Sequence, residues 1–179
     1  MSARPRIATV WLDGCSGCHM SFLDLDERLL GLLERADLVY GPLVDVKEFP
    51  EGVDVTLVEG AVSNRDDLER IQRIRARTRV LVAFGDCAVT GNVPSMRNRF
   101  PVGVVLERAY VEHVARNPGT DFEPEVPPLL ERARPVHEIV RVDVHLPGCP
   151  PSADTIAWAL DELLAGRTPD VSPRTRFGA

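Results

Sequence analysis

The sequence predicts an α/β fold: a five-stranded parallel sheet with helices on both faces, in a single domain. Short apolar runs alternate with amphipathic segments along the chain, and the run from Val80 to Phe84 is almost entirely apolar. Strands of that kind are typical of a sheet covered on both faces, and alternating strands and helices favour parallel pairing. The length of 179 residues suits one domain with its own core.

The first half of the chain contains four predicted strands and two predicted helices. The strands are Ile7 to Trp11, Leu38 to Tyr40 with an optional extension through Val44, Val53 to Glu59, and Val80 to Phe84. One helix has apolar residues from Phe22 to Leu33 at helical spacing and ends near Ala36. The other begins after Ser63-Asn64-Arg65-Asp66, which resembles a capping box.

The second half is irregular at first and rich in proline. A helix is predicted at about Leu106 to Arg116, and the segment from Asn117 to Pro135 is predicted to be mostly loop. Ile139 to Val144 is the fifth predicted strand. Ser152 is the expected N-cap of a last helix that stops at Gly166. We therefore expect a domain of residues 1–166 and an extended tail of residues 167–179.

Composition and charge restrict the class of protein. A net charge of −6 argues against a nucleic-acid surface and provides no basic membrane patch. The apolar runs are much shorter than a membrane span, and the first residues contain neither a signal-peptide apolar region nor an adjacent arginine pair. The expected location is the cytoplasm, with no nucleic-acid or membrane partner. Four cysteines in a reducing compartment are expected to be metal ligands or catalytic thiols rather than disulfides.

Every cysteine follows a predicted strand. Five strands in this alternation suggest the flavodoxin-like order 2-1-3-4-5, in which ligands bind at the carboxyl ends of the strands. Cys15 and Cys18 follow the first strand, Cys87 the fourth and Cys149 the fifth, each in a predicted turn. We therefore expect the four thiols to converge on one metal centre at this edge.

Other interpretations of the cysteines fit the pattern less well than a metal cluster. Free cysteine is often a small core residue, but such residues are expected inside strands or helices rather than in turns. Thioredoxin-like redox chemistry needs one C-x-x-C pair and leaves Cys87 and Cys149 unexplained. A structural zinc site is the strongest alternative, yet such a site normally stabilises a small domain that lacks a core. One pair and two separate cysteines favour an iron–sulfur cluster over zinc.

Four motifs make the sequence recognisable. They are Gly14-Cys15-Ser16-Gly17-Cys18, Glu59-Gly60, Gly85-Asp86-Cys87-Ala88 and Pro147-Gly148-Cys149-Pro150-Pro151. In this order, and spread over nearly the whole chain, they resemble the small subunit of nickel–iron hydrogenases. The resemblance implies that Cys15, Cys18, Cys87 and Cys149 hold one 4Fe–4S cluster, close to the nickel–iron site of a separate large subunit.

Departures from the family pattern indicate a subtype. The chain has neither the export signal nor the additional cysteines of membrane-linked uptake enzymes, and Asn92 stands where many of those enzymes have a second glycine. It resembles the soluble, bidirectional, NAD-reducing hydrogenases. That resemblance implies diaphorase subunits that carry flavin and further clusters and exchange hydride with NAD. Coenzyme F420-reducing and respiratory complex I subunits match less well, and the adjacent cysteines of the complex I subunit are missing.

The expected function is therefore electron transfer, in a chain that is not catalytic alone. One alternative is a flavodoxin-like carrier of flavin, although Cys15 and Cys18 occupy the loop that would bind the flavin phosphate. Flavin binding elsewhere on this chain remains a further alternative. A third interpretation is a zinc-stapled structural module with no redox role.

The turns around Trp11, His19, Met96 and Pro150 are expected to form the interface with the large subunit. For Trp11 and Met96 the competing interpretation is plain core packing. His19 is expected to be a hydrogen-bonding residue close to the ligands or an exposed helix residue, not a ligand.

Glu59 ends the third strand, between the first and fourth strands of the expected order. Its carboxylate is expected to point toward the space between the Cys15–Cys18 turn and Cys87. The simpler interpretation is a hydrogen bond to a backbone N–H of Gly60 or of a neighbouring loop. The functional interpretation is a group beside the cluster, or an occasional oxygen ligand, that responds to the cluster's charge.

Overall fold

A computed structural model describes residues 4–112 and 126–175. Its strands are β1 Arg6–Trp11, β2 Asp37–Tyr40, β3 Val53–Glu59, β4 Val62–Asn64, β5 Thr78–Phe84, β6 Leu129–Arg134 and β7 Val144–Leu146. Its α-helices are α1 Gly17–Leu23, α2 Glu27–Arg35, α3 Arg65–Arg77, α4 Asp86–Thr90, α5 Val102–Glu107 and α6 Ala153–Leu164.

The central sheet confirms the predicted topology. Five strands lie in the order β2-β1-β3-β5-β7, and every neighbouring pair is parallel. In this register Trp11 pairs with Glu59, and Glu59 pairs with Phe84. The carboxyl ends of β1, β3 and β5 are therefore level with one another, so the loops that follow them meet at one edge.

Helices cover both faces of the sheet, as predicted. On one face, Phe22, Leu32, Ile156 and Leu160 of α1, α2 and α6 pack in one apolar cluster with Leu57 of β3. A second cluster on the other face contains residues of α3 and α4, namely Ile71, Ile74 and Ala88. Burial on both faces explains why most residues of the central strands are apolar, as in Val80 to Phe84 of β5.

The first predicted helix is two helices. α1 ends at Leu23 and α2 begins at Glu27, and between them Asp26 has a φ of 50°. Helical periodicity continues across the break, because Phe22, Leu25 and Leu32 are all buried in the same cluster. The apolar pattern therefore records the buried face and does not reveal the break. The second strand also ends at Tyr40, without the optional extension, since the chain turns where the Val44 N–H donates to the Gly41 carbonyl.

The capping arrangement at α3 is displaced by one residue from the predicted one. Asn64 is the N-cap, and its Oδ1 accepts a hydrogen bond of 2.8 Å from the Asp67 N–H. The Asp67 carboxylate in turn accepts from the Ser63 N–H at 3.3 Å. The displacement follows from β4, which continues the extended backbone through Asn64.

An antiparallel pair, β4 with β6, was not predicted. β6 lies in the segment from Asn117 to Pro135 that the sequence predicts to be mostly loop, so that prediction is wrong for Leu129–Arg134. Residues 113–125 of the same region lie outside the described part of the chain. The predicted helix at Leu106 to Arg116 is found earlier, as α5 and a π-helical turn at Arg108–Glu112, and its predicted end also lies outside the described residues.

The fifth strand is Val144–Leu146 and not Ile139 to Val144, so the predicted position is wrong. The preceding apolar residues pack, half-buried, against the cluster that contains α3. The N–H groups of Ile139 and Val140 donate to the Val136 carbonyl in a tight turn. Asp143 then directs the chain into the sheet, because its carboxylate accepts from the Leu81 N–H at 2.8 Å.

The last helix, α6, has the predicted N-cap, since the Ser152 hydroxyl accepts from the Thr155 N–H. Gly166 follows its end with a φ of 76°. Beyond it, the Arg174 guanidinium lies 4.6 Å from the centre of the Trp158 ring. The division into residues 1–166 and a tail of 167–179 stays a prediction. Among the described residues, no helix has the length and apolarity needed to cross a membrane.

Candidate metal centre

The four cysteines lie at the carboxyl edge of the central sheet. Cys15 lies in the loop between β1 and α1, Cys18 in the first turn of α1, Cys87 in α4 and Cys149 in the turn after β7. Cys18 and Cys87 therefore begin short helices, which corrects their predicted placement in open turns. All four thiols are free; Cys18 is buried, and Cys15 and Cys149 are exposed.

Hydrogen bonds fix the three cysteine-bearing segments to one another. Asp86 joins two of them, because its carboxylate accepts from the Gly148 N–H at 2.7 Å and its own N–H donates to the Gly148 carbonyl at 2.9 Å. The third is attached by Ser21 of α1, whose hydroxyl donates to the Pro151 carbonyl at 2.5 Å. The relative positions of the thiols are thus set by the protein itself.

Gly85 leaves the space that the Cys18 thiol occupies. A Cβ built on Gly85 would lie 2.1 Å from Cys18 Sγ, and the backbone there has a φ of 83°. Only glycine adopts this conformation readily and permits this approach. Steric exclusion by Cys18 therefore explains why the motif has glycine at position 85.

The thiols also act on one another electrostatically. Burial strongly raises the pKa of Cys18, and negative charge on Glu59 and on the other three cysteines raises it further. Burial likewise raises the pKa of Cys87 to about 11, with contributions from Cys15 and Cys149 and an opposing hydrogen bond from the Val93 N–H. Four thiolates at this edge would repel one another, so deprotonation requires a compensating positive charge such as iron.

The donor set suits a soft metal centre, because thiolates are the ligands that iron–sulfur clusters and zinc prefer. The side chains of His, Cys, Asp and Glu in the described parts of the chain form no group of three or more that could hold a single metal ion. The chemistry of these donors therefore fits an iron–sulfur cluster better than a single ion, and that all four cysteines hold one cluster stays a prediction.

Glu59 forms a buried pair with His19, which sequence reasoning missed. Glu59 is 2% exposed, and its carboxylate accepts from the His19 backbone N–H at 3.0 Å. The same oxygen contacts Nδ1 of the His19 ring. Glu59 thus makes the expected hydrogen bond to a backbone N–H, but the donor is His19 of α1 and not Gly60. The charge on Glu59 still reaches the cysteines, since it raises the pKa of Cys18.

His19 is buried, with 4% of its surface exposed. Its Nε2 atom has no hydrogen-bond partner among the described residues. The Trp11 and His19 rings are nearly perpendicular, with 5.2 Å between their centres. His19 is therefore a hydrogen-bonding residue beneath the surface, in line with one of its two expected roles.

Several exposed apolar residues lie near the cysteines in the chain. Trp11 is 38% exposed and Met96 is 67% exposed, so plain core packing is wrong for both. Pro150 is also exposed. Other exposed apolar residues of the neighbouring segments are Met20, Val93 and Phe100. That these residues contact a large subunit stays a prediction.

Two further residues of this site have structural roles that sequence reasoning missed. Asp86 belongs to a recognisable motif, but nothing in the motif indicates that it joins the Cys87 and Cys149 segments. Asn92 differs from the glycine of many uptake enzymes, and its side-chain amide lies against the Cys149 thiol. Both residues lie close to Cys87 in the sequence, but their partners lie in the distant Cys149 segment, which no local pattern identifies.

Comparison with known proteins supports the same family. The family model described as "NADH ubiquinone oxidoreductase, 20 Kd subunit" matches residues 15–163. The NAD-reducing hydrogenase HoxS subunit delta of Cupriavidus necator is 42% identical over 170 residues, covering 93% of this chain and 81% of that relative. The iron-sulfur subunit of the F420-non-reducing hydrogenase from Archaeoglobus profundus is 30% identical, and the match covers 92% of this chain but 57% of the relative.

A solved structure agrees closely with the fold. It is the crystal structure of an NAD+-reducing [NiFe]-hydrogenase in the H2-reduced state, with a TM-score of 0.93 and 44% sequence identity. The match covers 98% of this chain and 99% of that chain. Sequence, fold and the shared edge of the four cysteines lead to the same conclusion: this chain belongs to the NADH:ubiquinone oxidoreductase 20 kDa subunit family and, within it, to the small subunits of NAD-reducing nickel–iron hydrogenases.

Proposed function

We propose that this chain is the electron-transfer subunit of a cytoplasmic NAD-reducing hydrogenase. Cys15, Cys18, Cys87 and Cys149 hold one 4Fe–4S cluster, which relays electrons between the nickel–iron site of a large subunit and a diaphorase module that carries flavin and further clusters. The observation that carries the proposal is that cysteines from three separate strand ends share one edge and interact electrostatically.

When bound, a 4Fe–4S cluster accepts and releases one electron at a time. The chain's own residues provide a fixed, partly buried set of four thiolates for it. Asp86 and Ser21 hold the three segments in place, so the cysteine side chains are preorganised before the cluster binds. Burial of Cys18 limits access of water and oxidants to one side of the centre.

Glu59 adds a negative charge beside this centre. It is buried, so water screens its charge only weakly, and it is held in place by two contacts with His19. A fixed carboxylate favours the more positive, oxidised state of a neighbouring cluster. We therefore assign Glu59 the role of an electrostatic neighbour of the cluster, with oxygen ligation to iron as a conditional extension of that role.

The large subunit is proposed to cover the exposed apolar residues near the cysteines. Electron transfer requires centres that are close together, and an exposed cluster is vulnerable to oxidation. Trp11 and Met96 supply exposed apolar area there, of the kind that is enriched at the centre of protein interfaces. Purification of a stable, cluster-loaded monomer without a partner would argue against this assignment.

Metal analysis of the anaerobically purified protein tests the cofactor. We expect iron and acid-labile sulfide in equal amounts, close to four of each per chain for one 4Fe–4S cluster. Zinc without iron or sulfide would refute the proposal and favour the zinc-stapled alternative. The absorbance spectrum distinguishes a cluster from the flavin alternative. A cluster gives a broad shoulder in the blue region, whereas resolved flavin bands would favour the flavin carrier.

A further inference from the structure

We propose that Asn92 sets the reduction potential of the cluster through a hydrogen bond to Cys149. The inference rests on the proposed function, because it requires Cys149 to be a cluster ligand. Asn92 Nδ2 lies 3.6 Å from Cys149 Sγ, within the range of an N–H···S contact, which is longer than an N–H···O bond. The two residues come from different loops, one after α4 and one after β7.

The backbone of Asn92 is held on both sides, so its amide is oriented in advance. Its N–H donates to the Thr90 hydroxyl at 3.3 Å. Its carbonyl accepts from the Ser95 hydroxyl at 2.8 Å and from the Ser95 N–H at 3.2 Å. Asparagine tolerates the φ of 27° found there better than most residues do. These contacts restrain the backbone from which the Asn92 side chain reaches Cys149.

The direction of the effect follows from electrostatics. Reduction adds an electron to the cluster and increases the negative charge on its sulfur ligands. An amide N–H directed at one of these sulfurs therefore stabilises the reduced state more than the oxidised state, and hydrogen bonds to sulfur are among the factors that set such potentials. Removing the donor lowers the potential, opposite to the expected effect of neutralising Glu59.

Two variants and one control isolate this contact. Asn92→Gly removes the amide, and glycine accepts the positive φ without strain. Asn92→Asp keeps the shape but replaces the donor with a carboxylate, so its potential should fall further. Ser95→Ala is the matched control in the same loop, because it removes the hydroxyl that binds the Asn92 carbonyl but leaves the amide in place.

The experiment is a redox titration of the anaerobically purified complex, followed by electron paramagnetic resonance of the cluster nearest the large subunit. For Asn92→Gly we expect the ratio of reduced to oxidised cluster at a given potential to fall by roughly tenfold, the effect of one hydrogen bond to a charged group. That change corresponds to a shift of about 59 mV to a lower potential for a one-electron couple. Ser95→Ala should titrate like the parent.

Each outcome has a distinct meaning. Unchanged potentials in both Asn92 variants, with iron and sulfide intact, would overturn the inference and leave the proposed function standing. Loss of the cluster from both variants would also overturn it, because Asn92 would then retain the cluster and not tune it. Absence of this cluster's electron paramagnetic resonance signal from the reduced parent complex would refute the proposed function itself.

Discussion

Gly85 allows a direct test of how the cysteine segments pack. Alanine at this position would place its Cβ 2.1 Å from Cys18 Sγ, about 1.4 Å or more inside a comfortable non-bonded contact of roughly 3.5–4.0 Å. The contact cannot be relieved by moving Gly85 alone, because its N–H donates to the Leu146 carbonyl at 2.8 Å. Cys18 must therefore move, and with it one corner of the proposed centre.

The expected destabilisation has two parts. The φ of 83° and ψ of 165° at Gly85 belong to a region that is essentially reserved for glycine, and another residue there costs roughly 1–3 kcal/mol. Overpacking against Cys18 adds roughly 1–3 kcal/mol. Together they lower the free energy of unfolding by roughly 2–6 kcal/mol, a large part of the roughly 5–15 kcal/mol typical of a domain.

Denaturant unfolding of the chain, followed by circular dichroism, measures the loss of stability, and iron analysis of the assembled protein measures the displacement of Cys18. Gly31→Ala is the matched control, because Gly31 lies within α2 and a Cβ there meets nothing within 4 Å. That change should stabilise the chain by about 0.5–1 kcal/mol. If Gly85→Ala unfolded within about 1 kcal/mol of the parent and kept its full iron content, the packing argument would be wrong.

Three further predictions concern the centre. Replacement of Cys87 or Cys149 with Ser should remove the iron bound to this chain and the electron paramagnetic resonance signal of its cluster, because a neutral hydroxyl is a poor substitute for thiolate. Retention of both in either variant would refute the four-ligand assignment. Glu59→Gln should raise the reduction potential of the cluster and alter the recovery of activity after oxidation, since it removes a buried negative charge at nearly constant shape. An unchanged redox titration and unchanged reactivation would leave Glu59 with a structural role only. The metal-free chain should lose stability as the pH rises from about 9 to about 11, because the unfolded Cys87 thiol ionises near its ordinary pKa of 9.0 while the folded one retains its proton up to about 11. A free energy of unfolding that is flat over this window, measured with denaturant and compared with Cys87→Ser, would contradict the half-buried position of Cys87.

The position of the four cysteines at one edge was accessible from the sequence, because it depends on features that are local. The strand Thr78–Phe84 is marked by the continuous apolar run from Val80, the strand Val53–Glu59 by four apolar residues, and alternation with helices predicts parallel pairing. Once the order of strands is known, residues that immediately follow them must meet. The predicted N-cap Ser152 rests on equally local chemistry.

Only the tertiary structure decided features that depend on contacts between distant residues. The helical spacing of apolar residues continues across Asp26, although α1 and α2 are separate helices there. The spacing does not reveal the break because both helices bury residues in the same apolar cluster. The apolar residues before β7 pack beneath the sheet instead of joining it, and apolar content alone does not distinguish these two outcomes. β4 and β6 pair across a separation in sequence that leaves no local pattern.

The same distinction applies to the candidate centre. From the sequence, each cysteine could be assigned to a strand end, and Glu59 to the space near them. The contacts of Glu59 with His19, Asp86 with Gly148 and Asn92 with Cys149 each join loops from different strands. Their partners are selected by the register and twist of the sheet, so the residues around the centre, unlike its cysteines, are determined by three-dimensional packing.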